Sequence, residues 1–214
     1  MNIEYLGHSC FRITTASGTT ILTDPYTKVG YELPNNLTAD IVTISHGHFD
    51  HNYIDGVKGA KAVVSTAGKR QLGDIFIDGF VCNHDEKGGA LRGKNIVFTI
   101  SVDGYKICHL GDIGETCTTE ILEKIGKVDV LMLPIGGTYT IDGKQAKEYV
   151  DNIAPKLTIP MHYKPLDGAL DIADEKAFLS LYNKVYSVNE DGIIDLEKVF
   201  VGEESLVFMK RRKV

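Results

Sequence analysis

Residues 46–51 read His-Gly-His-Phe-Asp-His, and this stretch decides how the rest of the chain is interpreted. Three imidazoles and one carboxylate fall within six positions. The preceding residues 40–45 form a short run rich in apolar and β-branched side chains, which predicts a buried strand. At a strand end the backbone can turn these side chains into a cleft. The competing interpretation is a solvated polar loop, or the start of a helix that happens to be rich in histidine.

The spacing within this stretch predicts a metal site with room for two ions. Residues two apart in an extended segment point the same way, so His46 and His48 can bind one metal from one side. Asp50 and His51 are neighbours where the chain turns, so they can face a second metal beside the first. Imidazole nitrogens with a few carboxylate oxygens suit Zn²⁺, with Mn or Fe as alternatives.

Composition narrows the class of protein. The chain has 214 residues, 43% of them hydrophobic and 24% charged, which is enough for one domain over residues 1–214. A formal net charge of −6 argues against a nucleic-acid partner, because nucleic-acid-binding faces usually show a basic surplus. No apolar run approaches the roughly eighteen residues of a membrane span, and no signal-peptide pattern is present. The four cysteines have no paired spacing, so we expect a cytoplasmic protein with reduced thiols.

Strands come early and are mixed with helices, which predicts an α/β sandwich rather than a regular βαβ array. Strands are predicted over 2–7, 10–15, 19–23, 41–45, 62–65, 75–77, 79–83, 96–102, 105–110, 128–134, 156–161 and 193–209, and helices over 118–125, 143–154 and 174–182. The pair Asp78-Gly79 is interpreted as a turn between two short strands. Residues 26–39 contain Gly30 and Pro34, so we expect a loop there, with a lid over the site as one role.

Three further residues complete the candidate ligand set. His84, Asp112 and His162 each stand where a predicted strand ends and a loop begins. Such positions can converge on one edge of a sheet, and the two oxygens of Asp112 can bridge two cations. Each residue alone would be interpreted as a surface or capping residue, but together with residues 46–51 they favour a metal site.

The order and rough spacing of these motifs resemble the metallo-β-lactamase superfamily. The likeness runs through His-Gly-His-Phe-Asp-His, His84, Gly111-Asp112 and Pro160-Met161-His162, and covers nearly the whole chain. Gly7-His8-Ser9-Cys10-Phe11, Thr23-Asp24-Pro25 and Met161-His162-Tyr163 are similar to its smaller hydrolase branch, which includes relatives of L-ascorbate-6-phosphate lactonase.

The resemblance implies a four-layer αββα sandwich with the metals at one edge of the two sheets. It implies two ligand groups with Asp112 as a bridge: His46, His48 and His84 for one metal, and Asp50, His51 and His162 for the other. It says little about substrate, since lactonases, thioesterases, phosphodiesterases, nucleases and lactamases share the motif. Oxygen-reducing members usually carry an acid at the position of His48, so the resemblance argues against redox chemistry.

Four other residues are candidates for supporting roles. His8 is expected either to transfer a proton and support a ligand, or to be a hydrogen-bonded strand residue. Asp24 either orients a metal-bound histidine through its second ring nitrogen or caps a turn. His109 is expected to pack beneath Asp112 or to support it. Tyr139 follows a buried strand and lies either near the substrate or in a plain turn.

These residues predict a hydrolase that acts on a small molecule. A bound metal lowers the pKa of water from about 15.7 to about 7, so hydroxide aligned by Asp50 and Asp112 can attack a carbonyl or a phosphorus. We expect an ester, lactone or phosphodiester substrate. The alternatives are a nuclease or cyclic-nucleotide phosphodiesterase, and a metal-binding sensor or binding protein on a hydrolase scaffold. No membrane partner is expected, and a homo-oligomer is left open.

Overall fold

The structure is a computed structural model that describes residues 1–188, 192–199 and 205–211. Its strands are β1 (Asn2–Gly7), β2 (Cys10–Thr14), β3 (Thr20–Thr23), β4 (Ile41–Thr43), β5 (Ala62–Val64), β6 (Gly68–Leu72), β7 (Ile75–Asn83), β8 (Lys94–Val102), β9 (Tyr105–His109), β10 (Val130–Pro134), β11 (Leu157–Met161), β12 (Tyr186–Val188), β13 (Ile193–Asp195) and β14 (Ser205–Met209). Its helices are α1 (Thr119–Ile125), α2 (Gly143–Ile153), α3 (Lys176–Leu179) and α4 (Leu196–Val199).

Two β-sheets packed face to face confirm the predicted sandwich. The first sheet has the strand order β13-β1-β2-β3-β4-β5, and the second has the order β12-β14-β11-β10-β9-β8-β7-β6. Phe11 of the first sheet and Phe98 and Ile100 of the second belong to one continuous core between them. Tyr149 of α2 and Ile121 of α1 join the same core, so these helices cover the second sheet.

Residues 26–39 form the outer layer over the first sheet. Tyr26 and Leu37 pack with Leu22 and Val42, whose strand neighbours point into the core between the sheets. The predicted loop is confirmed, and its apolar side chains are buried in a small second core, while its role as a lid stays a prediction. A segment that contributes a core cannot swing away from the sheet without exposing it.

The expected turn at Asp78-Gly79 is wrong, since β7 runs unbroken from Ile75 to Asn83. Gly79 pairs with Phe98 of β8, and a Cβ atom added at Gly79 would lie 2.8 Å from the Phe98 ring. The glycine is there because the ring needs the space, which is a recognised use of glycine inside a strand.

Both longer helices begin at the predicted places because side chains cap them. The Thr118 hydroxyl accepts from the backbone N–H of Ile121 at the start of α1. Asp142 and Gln145 form a reciprocal capping box at the start of α2, and Pro155 follows soon after its end.

The C-terminal third differs more from prediction. The expected helix over 174–182 is reduced to α3, and the expected strands over 193–209 are β13 and β14 with the short α4 between them. Residues 200–204 of that range lie outside the described residues.

Strand β6 was not predicted, because its Lys, Arg and Gln side chains give no alternation of apolar and polar residues, as is common for an edge strand. Among the described residues, no helix has the length and apolar character of a bilayer span.

Substitution of Leu37 tests whether residues 26–39 form a core. Leu37 is 3% exposed, so Leu37→Ala is expected to lower the free energy of unfolding by about 2–5 kcal/mol, as measured in urea. Leu166 is fully exposed, so Leu166→Ala is the control and is expected to change stability by about 0.5 kcal/mol or less. Equal effects of the two substitutions would show that the segment is loosely attached.

Candidate metal centre

The predicted ligands meet at one edge of the sandwich. His46, His48, Asp50 and His51 follow β4 of the first sheet. His84, Asp112 and His162 follow β7, β9 and β11 of the second sheet, which run in the same direction. Strands that run in the same direction place their carboxyl ends at one edge, and this is why His84 and His162, 78 positions apart in sequence, lie together.

Three overlapping clusters of potential metal ligands lie at this edge. In each cluster the ligand atoms are within 4.8 Å of one another. The clusters are His46, His48 and His84; His8, Asp50, His51 and His162; and His46, His51 and Asp112. The first two contain the two ligand groups expected from sequence, and the third joins them.

The Asp112 carboxylate lies between the two groups. Its Oδ2 atom is 3.1 Å from the Nε2 atoms of both His51 and His162. The same oxygen is 3.4 Å from Nε2 of His84 and 3.9 Å from Nε2 of His46. One buried oxygen therefore faces imidazoles from both groups.

Asp24 orients two of these histidines through hydrogen bonds on the side of each ring away from Asp112. Its Oδ2 atom accepts from Nδ1 of His51 at 2.9 Å and from the Ser45 hydroxyl, while Oδ1 accepts from the backbone N–H of Ser45 at 2.8 Å. The Ser45 hydroxyl in turn lies 2.9 Å from Nδ1 of His46. Each ring thus uses Nδ1 for orientation and turns Nε2 toward Asp112.

The remaining sequence candidates also lie at or behind the site. His8 contacts Oδ2 of Asp50 through Nε2 at 3.2 Å. The backbone carbonyl of Tyr139 lies 3.1 Å from Nδ1 of His84, so Tyr139 borders the first ligand group through its backbone. His109 donates from Nε2 to a backbone carbonyl at 2.9 Å and accepts the Gly111 N–H at Nδ1, so it supports the turn that carries Asp112.

Burial keeps several of these imidazoles neutral. It lowers the pKa of His46 to about 2, with a further contribution from His51. It lowers the pKa of His8 to about 4, with a contribution from His162. A neutral ring retains a lone pair, which a metal ligand needs. Next to the Asp50 carboxylate, neutral His8 donates its Nε2 proton.

At His51 and Asp112 the neighbouring charges outweigh the effect of burial on the pKa. Burial acts to lower the pKa of His51, but Asp112 and Asp24 outweigh it and raise that pKa well above its ordinary value. Burial acts to raise the pKa of Asp112, but His162 and His51 hold it well below its usual range. The carboxylates therefore favour positive charge at the His51 ring, and the imidazoles favour the ionised form of Asp112.

The unsatisfied atoms fit a metal. Several buried atoms here lack a hydrogen-bond partner: Nε2 of His46, His51, His84 and His162, and Oδ1 of Asp112. Unpartnered buried polar atoms are rare in folded proteins, and here they converge from both ligand groups. A divalent cation with nitrogen and oxygen ligands satisfies all of them, so the donor set fits one.

Sequence reasoning missed Asn95, which is fully buried beneath the site. Its Oδ1 atom accepts from the Asp112 N–H at 2.9 Å, and its Nδ2 atom donates to the Leu110 carbonyl at 2.8 Å. Gly111 has φ of +54°, and a Cβ there would lie 2.3 Å from Asn95. Asn95 precedes the predicted strand 96–102 and follows Lys94, so the local sequence carried no signal of its role.

Asp85 was also missed, and it shapes the loop between β7 and β8. Its carboxylate accepts from the backbone N–H groups of Lys87, Gly89, Leu91 and Arg92. These bonds hold the pKa of Asp85 below its ordinary value against the effect of burial. The glycine-rich loop predicted from sequence therefore folds around the Asp85 carboxylate, so the residue after His84 sets its position.

Comparisons with known proteins identify the family of the chain. The model of the β-lactamase superfamily domain matches residues 2–162. A UPF0173 protein from Pyrococcus abyssi is 30% identical over 193 residues, covering 78% of this chain and 86% of the relative. A UPF0173 metal-dependent hydrolase from Thermoplasma acidophilum is 28% identical over 211 residues, covering 86% and 92%.

A solved structure extends the likeness over the whole fold. The crystal structure is of a Thermotoga maritima protein assigned to the Zn-dependent hydrolases of the metallo-β-lactamase superfamily. It aligns with a TM-score of 0.79 and 36% identity, covering 97% of this chain and 98% of that chain. Fold, site and sequence agree, so the chain belongs to the metallo-β-lactamase superfamily, in the group of the UPF0173 metal-dependent hydrolases.

Proposed function

We propose that this chain is a metal-dependent hydrolase that holds two divalent metal ions, with Zn²⁺ as the first choice, and cleaves an ester, lactone or phosphodiester bond of a small substrate. The observation that carries the proposal is the Asp112 carboxylate, which lies 3.1 Å from Nε2 of His51 and His162 and 3.4 Å from Nε2 of His84. The metal-dependent hydrolases among its relatives support the same chemistry.

The proposed ligands divide into two groups that share one carboxylate. The first group is His46, His48 and His84, the second is Asp50, His51 and His162, and Asp112 belongs to both. Asp24 orients His51 directly and His46 through the Ser45 hydroxyl. The Tyr139 carbonyl orients His84. Hydrogen bonds of this kind fix the ring and make its free nitrogen a better ligand.

Bound divalent ions would supply an activated water at neutral pH and polarise the oxygen of the scissile bond. The chain's own residues hold the geometry. His8 donates its Nε2 proton to Oδ2 of Asp50, and the same oxygen lies 3.7 Å from Nε2 of His51, so His8 fixes the Asp50 carboxylate beside that ring. His8 itself is fixed through its backbone, since its N–H donates to the Tyr31 hydroxyl and its carbonyl accepts from His162 N–H. In this way the first hairpin sets the position of a carboxylate that follows β4.

Metal analysis and turnover test this proposal together. The purified chain is expected to bind about two divalent ions, and chelation is expected to abolish hydrolysis across a panel of small ester, lactone and phosphodiester substrates. His48→Ala removes one ligand of the first group, so it is expected to leave about one ion and to lower kcat/KM by about 10²-fold or more.

Asn52→Ala is the control, because Asn52 is exposed beside the same motif. It is expected to keep both ions and full turnover, and thermal unfolding checks that each variant is folded. Full turnover after chelation would overturn the proposal, as would a chain that takes up neither Zn²⁺ nor Mn²⁺.

Ser45→Ala tests whether the Ser45 hydroxyl supports His46 of the first ligand group. Loss of the hydroxyl disconnects His46 from Asp24, so metal affinity is expected to fall by about 10-fold to 100-fold in a titration against a chelator. Asp24→Asn is expected to weaken binding further, because it also loosens His51. Ser65→Ala at an exposed serine is the control. Unchanged affinity in Ser45→Ala would show that this hydroxyl has only a structural role.

A further inference from the structure

Arg92 carries a half-buried positive charge that nothing in the described structure neutralises. Of the four arginines that the structure describes, Arg12 and Arg211 each pair with a carboxylate, and Arg70 donates to a carbonyl and a hydroxyl oxygen. The guanidinium of Arg92 instead lies over the Tyr139 ring, 5.4 Å from its centroid, with no oxygen acceptor among the described residues. Its hydrogen-bond donors are therefore available to a ligand.

Two connections fix Arg92 beside the metal centre. Its backbone N–H donates to Oδ2 of Asp85 at 2.8 Å, and Asp85 directly follows His84. The ring partner of Arg92 is Tyr139, whose carbonyl lies 3.1 Å from Nδ1 of His84. The backbone of Arg92 is thus linked to the neighbour of His84, and its guanidinium to the residue whose carbonyl contacts His84.

Three exposed apolar side chains belong to residues that adjoin Arg92 or the first ligand group. Leu91, next to Arg92, is 63% exposed, and Tyr139 is 37% exposed. Phe49 is 52% exposed and follows His48, whose ring centroid is 5.0 Å from that of His84. A cation among apolar groups at the mouth of a site matches a ligand with an apolar body and an acidic group.

We propose that Arg92 binds a carboxylate or phosphate group of the substrate, while Leu91 and Tyr139 contact its apolar part. This inference rests on the proposed function, since it takes the scissile bond to lie at the metal centre. A guanidinium suits both anions, because its planar fork can donate two parallel hydrogen bonds to either. The chain carries a formal net charge of −6, so a local cation of this kind favours recognition of an anion against the overall charge.

Calorimetric titration with three small probes tests the inference. The probes are benzoate, phenylphosphonate and the neutral benzamide, and the full-length chain is titrated both as purified and after zinc loading. At least one anion is expected to bind about tenfold or more tightly than benzamide, and the tighter of the two identifies carboxylate or phosphate as the recognised group. Arg92→Ala is expected to remove this preference, and Arg92→Lys to keep part of it.

Arg70→Ala is the matched control, because Arg70 is an exposed arginine on the edge strand β6 whose guanidinium already donates to the Lys69 carbonyl and the Thr66 hydroxyl. It is expected to bind all three probes like the unmodified chain. Equal binding of the three probes, no binding of either anion, or unchanged anion binding in Arg92→Ala would each overturn the inference. Failure of the proposed function shows separately, as absent metal or absent turnover, because the titration needs neither hydrolysis nor an added metal.

Discussion

One carboxylate oxygen, Oδ2 of Asp112, faces histidines that come from both sheets, and the rest of the structure holds that arrangement in place. His51 follows the first sheet, whereas His84 and His162 follow the second. The oxygen can reach all three only if the two sheets keep one relative position. The core between the sheets and the Asn95 amide under the Asp112 turn supply that constraint. The local geometry of the site is therefore a property of the whole sandwich.

Much of this site could be predicted because its signals are local. The motif at 46–51 places four candidate ligands within six residues. His84 and His162 follow apolar runs that predict strands, so both lie at predicted strand ends. The sandwich followed from the order of strands and helices. The division of ligands into two groups came from family resemblance, and the clusters seen in the structure have the same membership with His8 added.

The features that were missed depend on partners distant in sequence. Ser45 matters because Asp24 lies behind it, and Asn95 matters because the Asp112 turn lies above it. Sequence alone predicts a turn at Gly79, because it cannot distinguish a glycine that makes room for the Phe98 ring from a glycine that bends the chain. Residues 26–39 have no regular spacing of apolar side chains, so their burial against the first sheet left no periodic signal.

The position of the last described strand has a consequence for how the protein is made. Strand β14 lies between β12 and β11, and β13 pairs with β1 at the edge of the other sheet. Arg211, just after β14, stacks on Tyr31, whose hydroxyl binds the backbone of His8. A nascent chain that has emerged only as far as β11 can pair its N-terminal strands but cannot complete either sheet. The two sheets therefore close late in synthesis, with strands that lie about 190 residues or more from β1 in sequence.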